Sequence, residues 1–169
     1  MSHFAHFAIS NHISTFLLES SFQFYFRLVS CYRDKFEIGS TSDYIFQTFN
    51  PKIINDNSRP TFQEFVDYLI RTPIEEYNDH WLPNWIHCQL CSQEYDLIGY
   101  METLDEDVAY IFDLSNIEME FPWNNHKQNE SKIMTQKYFS LLTDEQKQKL
   151  YEIYLPDFLM FGYENTDYI

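Results

Sequence analysis

The 169 residues are enough for one domain with a hydrophobic core, and a 44% apolar composition excludes wholesale disorder. A formal net charge of −15, from 26 acidic against 11 basic residues, excludes a broad nucleic-acid-binding face and restricts any anionic ligand to a local basic site. No run of about 18 apolar residues is present to span a bilayer. The 16 Phe, 13 Tyr and 3 Trp point to a core of large flat side chains.

Residues 1–26 carry three His and Glu19 but no Lys, Arg or Gly, which makes a poor signal peptide. In the next segment, Tyr25, Leu28, Val29, Tyr32 and Phe36 recur at helical spacing and predict a helix over 22–37 with one apolar stripe. Residues 39–60 read as a long loop. Thr61-Phe-Gln-Glu64 is a capping box, in which hydroxyl and carboxylate satisfy each other's backbone N–H groups. Phe62, Phe65, Val66 and Leu69 then form a helical face that stops before Pro73. Tyr95–Met101 is a short β-like run, followed by a second capping box at Thr103–Glu106 and a helix to about Phe112. Residues 115–130 read as loop and 131–142 as a helix; a third box at Thr143–Gln146 starts a helix to about Tyr154.

Four groups of residues invite a chemical reading. Arg27, Ser30 and Arg33 are spaced three apart along one side of the first helix, opposite much of the stripe. Two guanidinium forks around a hydroxyl suit a phosphate; the alternative is a solvated face with Arg33 paired to Glu37. In His80-Trp-Leu-Pro-Asn-Trp-Ile-His87-Cys88-Gln-Leu-Cys91, two His and a Cys-x-x-Cys are a candidate zinc site. A disulfide between Cys88 and Cys91, or from either to Cys31, is a rival. His80 is also a candidate general base. Glu102, Asp105, Glu106 and Asp107 suit a helix start, with Glu102 a candidate catalytic carboxylate. Asn129-Glu-Ser131 is an N-glycosylation sequon in a polar stretch.

Taken in order, these segments resemble the Golgi carbohydrate sulfotransferases of the chondroitin and dermatan 4-O-sulfotransferase and HNK-1 sulfotransferase type. The resemblance rests on Arg27-Leu-Val-Ser-Cys-Tyr-Arg-Asp-Lys-Phe36, the Phe62, Phe65 and Tyr68 helix, His80-Trp-Leu-Pro83 and Cys88-Gln-Leu-Cys91. It continues through Tyr95-Asp-Leu-Ile-Gly99, Glu102–Asp107, Tyr138–Leu142, Leu150–Tyr154 and Asp157–Tyr163.

The resemblance implies sulfuryl transfer from 3′-phosphoadenosine 5′-phosphosulfate to a sugar hydroxyl of a glycan or glycosaminoglycan, on the lumenal side of the Golgi membrane, with no metal required. It implies Arg27, Ser30 and Arg33 on the donor's 3′-phosphate, Cys88 and Cys91 as a structural disulfide, and His80 on the acceptor side. Where the family has an Arg ahead of this motif the chain has Phe22, and residues 1–26 offer no 5′-phosphosulfate loop. The expected organisation is therefore a divergent leader at 1–26 and the C-terminal part of a sulfotransferase domain at 27–169. That part is a partial three-layer, P-loop-like α/β fold, helix-rich and lacking its N-terminal strand. Catalysis would be impaired, the main alternatives being a non-catalytic partner of full-length sulfotransferases or a small zinc module.

Overall fold

The computed structural model describes residues 16–19, 23–38, 59–100, 103–116, 118 and 128–163. Strand β1 (Phe16–Glu19) precedes helix α1 (Gln23–Tyr32), which runs directly into a π-helical segment, Arg33–Ile38. Helix α2 (Phe62–Arg71), a 3-10 turn (Ile74–Glu76) and the short helix α3 (Asn84–His87) follow. Strand β2 (Leu97–Tyr100) leads into α4 (Leu104–Ser115), and α5 (Gln128–Phe139) and α6 (Asp144–Phe161) end the order. The predicted loop at 39–60 falls, apart from Arg59 and Pro60, outside the described residues.

The apolar periodicity translates directly into burial. Every member of the α1 stripe and of the α2 face is buried. Their rings meet edge-on or tilted: Tyr32 against Phe62 at 5.3 Å, Phe36 against Phe65 at 5.2 Å and Phe65 against Trp81 at 5.7 Å between centroids. Edge-to-face pairs of this kind stabilise by about 0.5–1.5 kcal/mol beyond the area they bury. Helix α5 closes the cluster through Tyr138 and Phe139.

Two capping boxes form as expected. Thr61 and Glu64 satisfy each other's backbone N–H groups at α2, and Thr143 and Gln146 do so at α6. The box expected at Thr103 does not form. Thr103 sits at φ −111°, ψ 22° rather than in the extended region a cap requires, and its hydroxyl donates to Asp107 at 2.7 Å. The same carboxylate oxygen accepts the N–H of Tyr100 at 2.6 Å, so Asp107 ties the end of β2 to the first turn of α4.

Three further expectations are corrected. A strand does precede the first helix: Phe16–Glu19 pairs in parallel with Leu97–Tyr100, with Leu17 opposite Ile98 and buried. Helix α6 continues through Pro156 to Phe161, well past Tyr154. An interior proline costs about 3 kcal/mol. Here Asp157, Phe158 and Phe161 beyond it are all buried and anchor the last turns. The helix stops at Gly162, whose φ of +66° allows the N–H of Tyr163 to reach the carbonyl of Phe158. Asn129 lies in the first turn of α5, not in a loop.

Phe65→Ala is expected to destabilise the fold by about 3–5 kcal/mol, read as a lower urea midpoint. Leu159→Ala, at an exposed position, is expected to change stability by less than about 0.5 kcal/mol.

Candidate functional site

The segment from His80 to Cys91 is held against the core by polar groups from two helices. Helix α3 starts after Pro83 with no side-chain cap of its own. Asp157 of α6 supplies one across space: its two oxygens accept the N–H groups of Asn84 and Trp85, each at 2.8 Å. From the other side Arg27 of α1 donates to the Asn84 side-chain oxygen and to the Leu82 carbonyl. Tyr154 donates to the Trp81 carbonyl at 2.6 Å, and Tyr95 to that of Cys88 at 2.6 Å.

Asp157 is 1% exposed and Arg27 8%. Burial pushes the Asp157 carboxyl up from its ordinary value, while its two N–H donors and the Arg27 charge pull it back down. Arg27 is therefore not on the exposed side shared by Ser30 and Arg33, as helical spacing alone suggests. It serves the interior, and its Nε is buried without an acceptor among the described residues.

The exposed side of α1 carries the second part of the site. Ser30 is exposed, and Arg33 is half-buried with its Nε on Glu37 at 3.1 Å. Glu37 also accepts the hydroxyl of Tyr138, at 2.6 and 2.7 Å to its two oxygens. Arg59 donates to the carbonyls of Phe36 and Glu37 at the end of the π-helical segment. Inside that segment Lys35 pairs with Asp34 at 2.9 Å.

His80, half-buried, lies within electrostatic reach of both. Partial burial first, and then the Lys35 charge, lower its pKa from 6.5, against opposing effects of Asp34 and Asp79. Both lowering effects favour the neutral imidazole, the form able to accept a proton. Lys35 and His80 lie within electrostatic reach of each other, and Lys35 went unassigned in the sequence, whereas the Arg33–Glu37 pair read there from its spacing does form. The only sequence signal for Lys35 was its place inside the Arg27–Phe36 motif.

The other candidates separate. His87 is half-buried, and burial and then Arg27 lower its pKa. Cys88 is a buried thiol and Cys91 an exposed one, and neither they nor Cys31 form a disulfide here. Burial pushes the Cys31 thiol up to about 12. Among the described residues no group of three or more His, Cys, Asp and Glu is placed to hold a metal ion, so the zinc reading of His80, His87, Cys88 and Cys91 has no geometric support. Asp105, Glu106 and Asp107 occupy the first turn of α4, where the helix dipole favours them. Glu102 lies outside the described residues.

A family model described as the sulfotransferase family matches residues 24–164. Carbohydrate sulfotransferase 11 of Mus musculus is 34% identical over 160 residues, covering 85% of this chain and 45% of its own. Carbohydrate sulfotransferase 12 of Xenopus laevis is 29% identical over 160 residues, 83% of this chain and 38% of its own. Carbohydrate sulfotransferase 9 of Homo sapiens is 31% identical over 156 residues, 81% of this chain and 35% of its own. The chain spans less than half the length of these curated relatives. No solved structure matches.

Asp157→Ala removes the acceptor for two N–H groups at once, one of them on a buried residue. It is expected to destabilise by about 3 kcal/mol in chemical denaturation. It should also release the 80–91 segment, which amide exchange at Asn84 and Trp85 would report.

Proposed function

The chain belongs to the sulfotransferase family, and on that premise we propose that it serves sulfate transfer from 3′-phosphoadenosine 5′-phosphosulfate to a sugar hydroxyl of a glycan or glycosaminoglycan. The observation that carries this reading is geometric: the exposed Ser30 hydroxyl stands three residues before Arg33, whose guanidinium meets Glu37 through Nε. The donor brings the activated sulfuryl group. The residues of this chain bind its phosphate, orient it, and remove a proton from the attacking hydroxyl.

Ser30 and Arg33 are assigned to the donor's 3′-phosphate. They fit an anion: the Ser30 hydroxyl is exposed, and Arg33 meets Glu37 through Nε, leaving its terminal nitrogens for a bidentate contact. Arg27, with its guanidinium on Asn84 and Leu82, supports this end of α1 from behind. His80 takes the hydroxyl proton. Lys35 has two roles: after burial, it adds to the lowering of the imidazole's pKa, and it offers positive charge where negative charge develops on the transferred group.

The three-layer, P-loop-like architecture, the lumenal Golgi location and association with full-length relatives belong to the same reading. No described helix is long and apolar enough to cross a membrane. Donor affinity of these 169 residues by themselves is expected to be weak, because residues 1–26 hold no Lys, Arg or Gly with which to wrap a phosphosulfate.

Calorimetric titration with adenosine 3′,5′-bisphosphate tests the donor assignment. Weak binding is expected, reduced about three- to tenfold by Ser30→Ala or Arg33→Ala; strong binding indifferent to both variants would refute the assignment. Transfer to a glycosaminoglycan acceptor should fall on acidification, with a midpoint below the ordinary histidine value of 6.5. Lys35→Gln removes one cause of the depression and should move that midpoint upward. An unchanged midpoint in Lys35→Gln, or a His80→Ala variant with full activity, would remove His80 from the mechanism.

A further inference from the structure

Glu37 stands out because it makes more contacts than a surface helix residue needs. It pairs with Arg33 through Oε2 at 3.1 Å. Both of its oxygens also accept the Tyr138 hydroxyl, at 2.6 and 2.7 Å, from a helix 101 residues away in the chain. Burial first, and then the bond to Glu37, push the Tyr138 hydroxyl up to about 12, so it remains a donor throughout the physiological range.

An exposed pair at this spacing is ordinarily a weak, mobile contact. Here a buried tyrosine of the aromatic cluster fixes one partner. The carboxylate also lies in a π-helical segment, a geometry found mostly at functional sites, whose last carbonyls are gripped by a second arginine, Arg59. The result is an anionic group of the protein's own, held against a cation that an incoming anion would need.

We propose that Glu37, tethered by Tyr138, is a built-in carboxylate competitor for the charge of Arg33, so that it sets how strongly a 3′-phosphoadenosine ligand binds. The inference rests on the assignment of Ser30 and Arg33 to that phosphate. Glu37 holds Arg33 through Nε alone at 3.1 Å, so its charge offsets that of the guanidinium while the terminal nitrogens face the phosphate. In a chain with a net charge of −15, removing one local negative charge next to the accepting cation also lessens repulsion of the ligand.

The test is calorimetric titration of the full chain with adenosine 3′,5′-bisphosphate at low salt. Glu37→Gln is expected to bind about three- to tenfold more tightly than the wild type. Glu37→Asp keeps the charge but is one methylene shorter; it should fall between the two and serves if Glu37→Gln fails to fold. Glu145→Gln removes an equivalent charge from the exposed Glu145–Lys149 pair and should leave affinity unchanged. In an Arg33→Ala background the gain from Glu37→Gln should disappear. Wild-type binding with no tightening in Glu37→Gln or Glu37→Asp would overturn the competitor alone. Equal tightening without Arg33, or from Glu145→Gln, would reduce it to a general charge effect and overturn it too. Absence of binding by wild type and variants alike would overturn both the donor assignment and the competitor.

Discussion

The molecule depends on one buried polar junction. Arg27 from α1, Asn84 from α3 and Asp157 from α6 meet inside a core otherwise made of rings and aliphatic chains. A charge or amide in that setting costs several kcal/mol unless every strong group finds a partner. The partners here are specific: two N–H groups for Asp157, an amide oxygen and a carbonyl for Arg27. Few other packings of these helices could satisfy them together, so the junction selects one arrangement from the many that aromatic packing would tolerate. It thereby determines where His80, four residues before Asn84, stands relative to Lys35.

The same acidity that excludes broad polyanion binding makes the placement of a few cations decisive. Arg33, Lys35 and Arg59 are gathered around a six-residue π-helical segment, each with a different partner: a carboxylate from the next turn, a neighbouring carboxylate, and the segment's own terminal carbonyls. The locality is cationic but largely self-neutralised, which suits a site whose ligand brings its own charge.

Some of this was legible in the sequence for clear physical reasons. A helix's apolar period is local, so Tyr25, Leu28, Val29, Tyr32 and Phe36 identified their buried face unaided, as did Phe62, Phe65, Val66 and Leu69. Capping at Thr61 and Thr143 involves residues three apart and could be read in the same way. At Thr103 the local reading failed: the backbone is not extended there, and the hydroxyl donates to Asp107, which also accepts the N–H of Tyr100. The end of the last helix, expected at about Tyr154, was missed in the same manner: Phe158 and Phe161, beyond Pro156, pack into a core the local sequence does not contain.

The sequence by itself determined the helical faces, the aromatic core, the order of motifs that marks the family, and the need for a local basic site in an acidic chain. Each follows from composition or from neighbours within a few residues. Tertiary structure alone decided that Arg27 turns inward, that Phe16–Glu19 pairs with Leu97–Tyr100, that Cys88 and Cys91 differ in burial, and that Tyr138 reaches Glu37. These are contacts between residues tens of positions apart, made where a buried polar group or strand edge must find a partner. No local pattern records which distant residue will supply it.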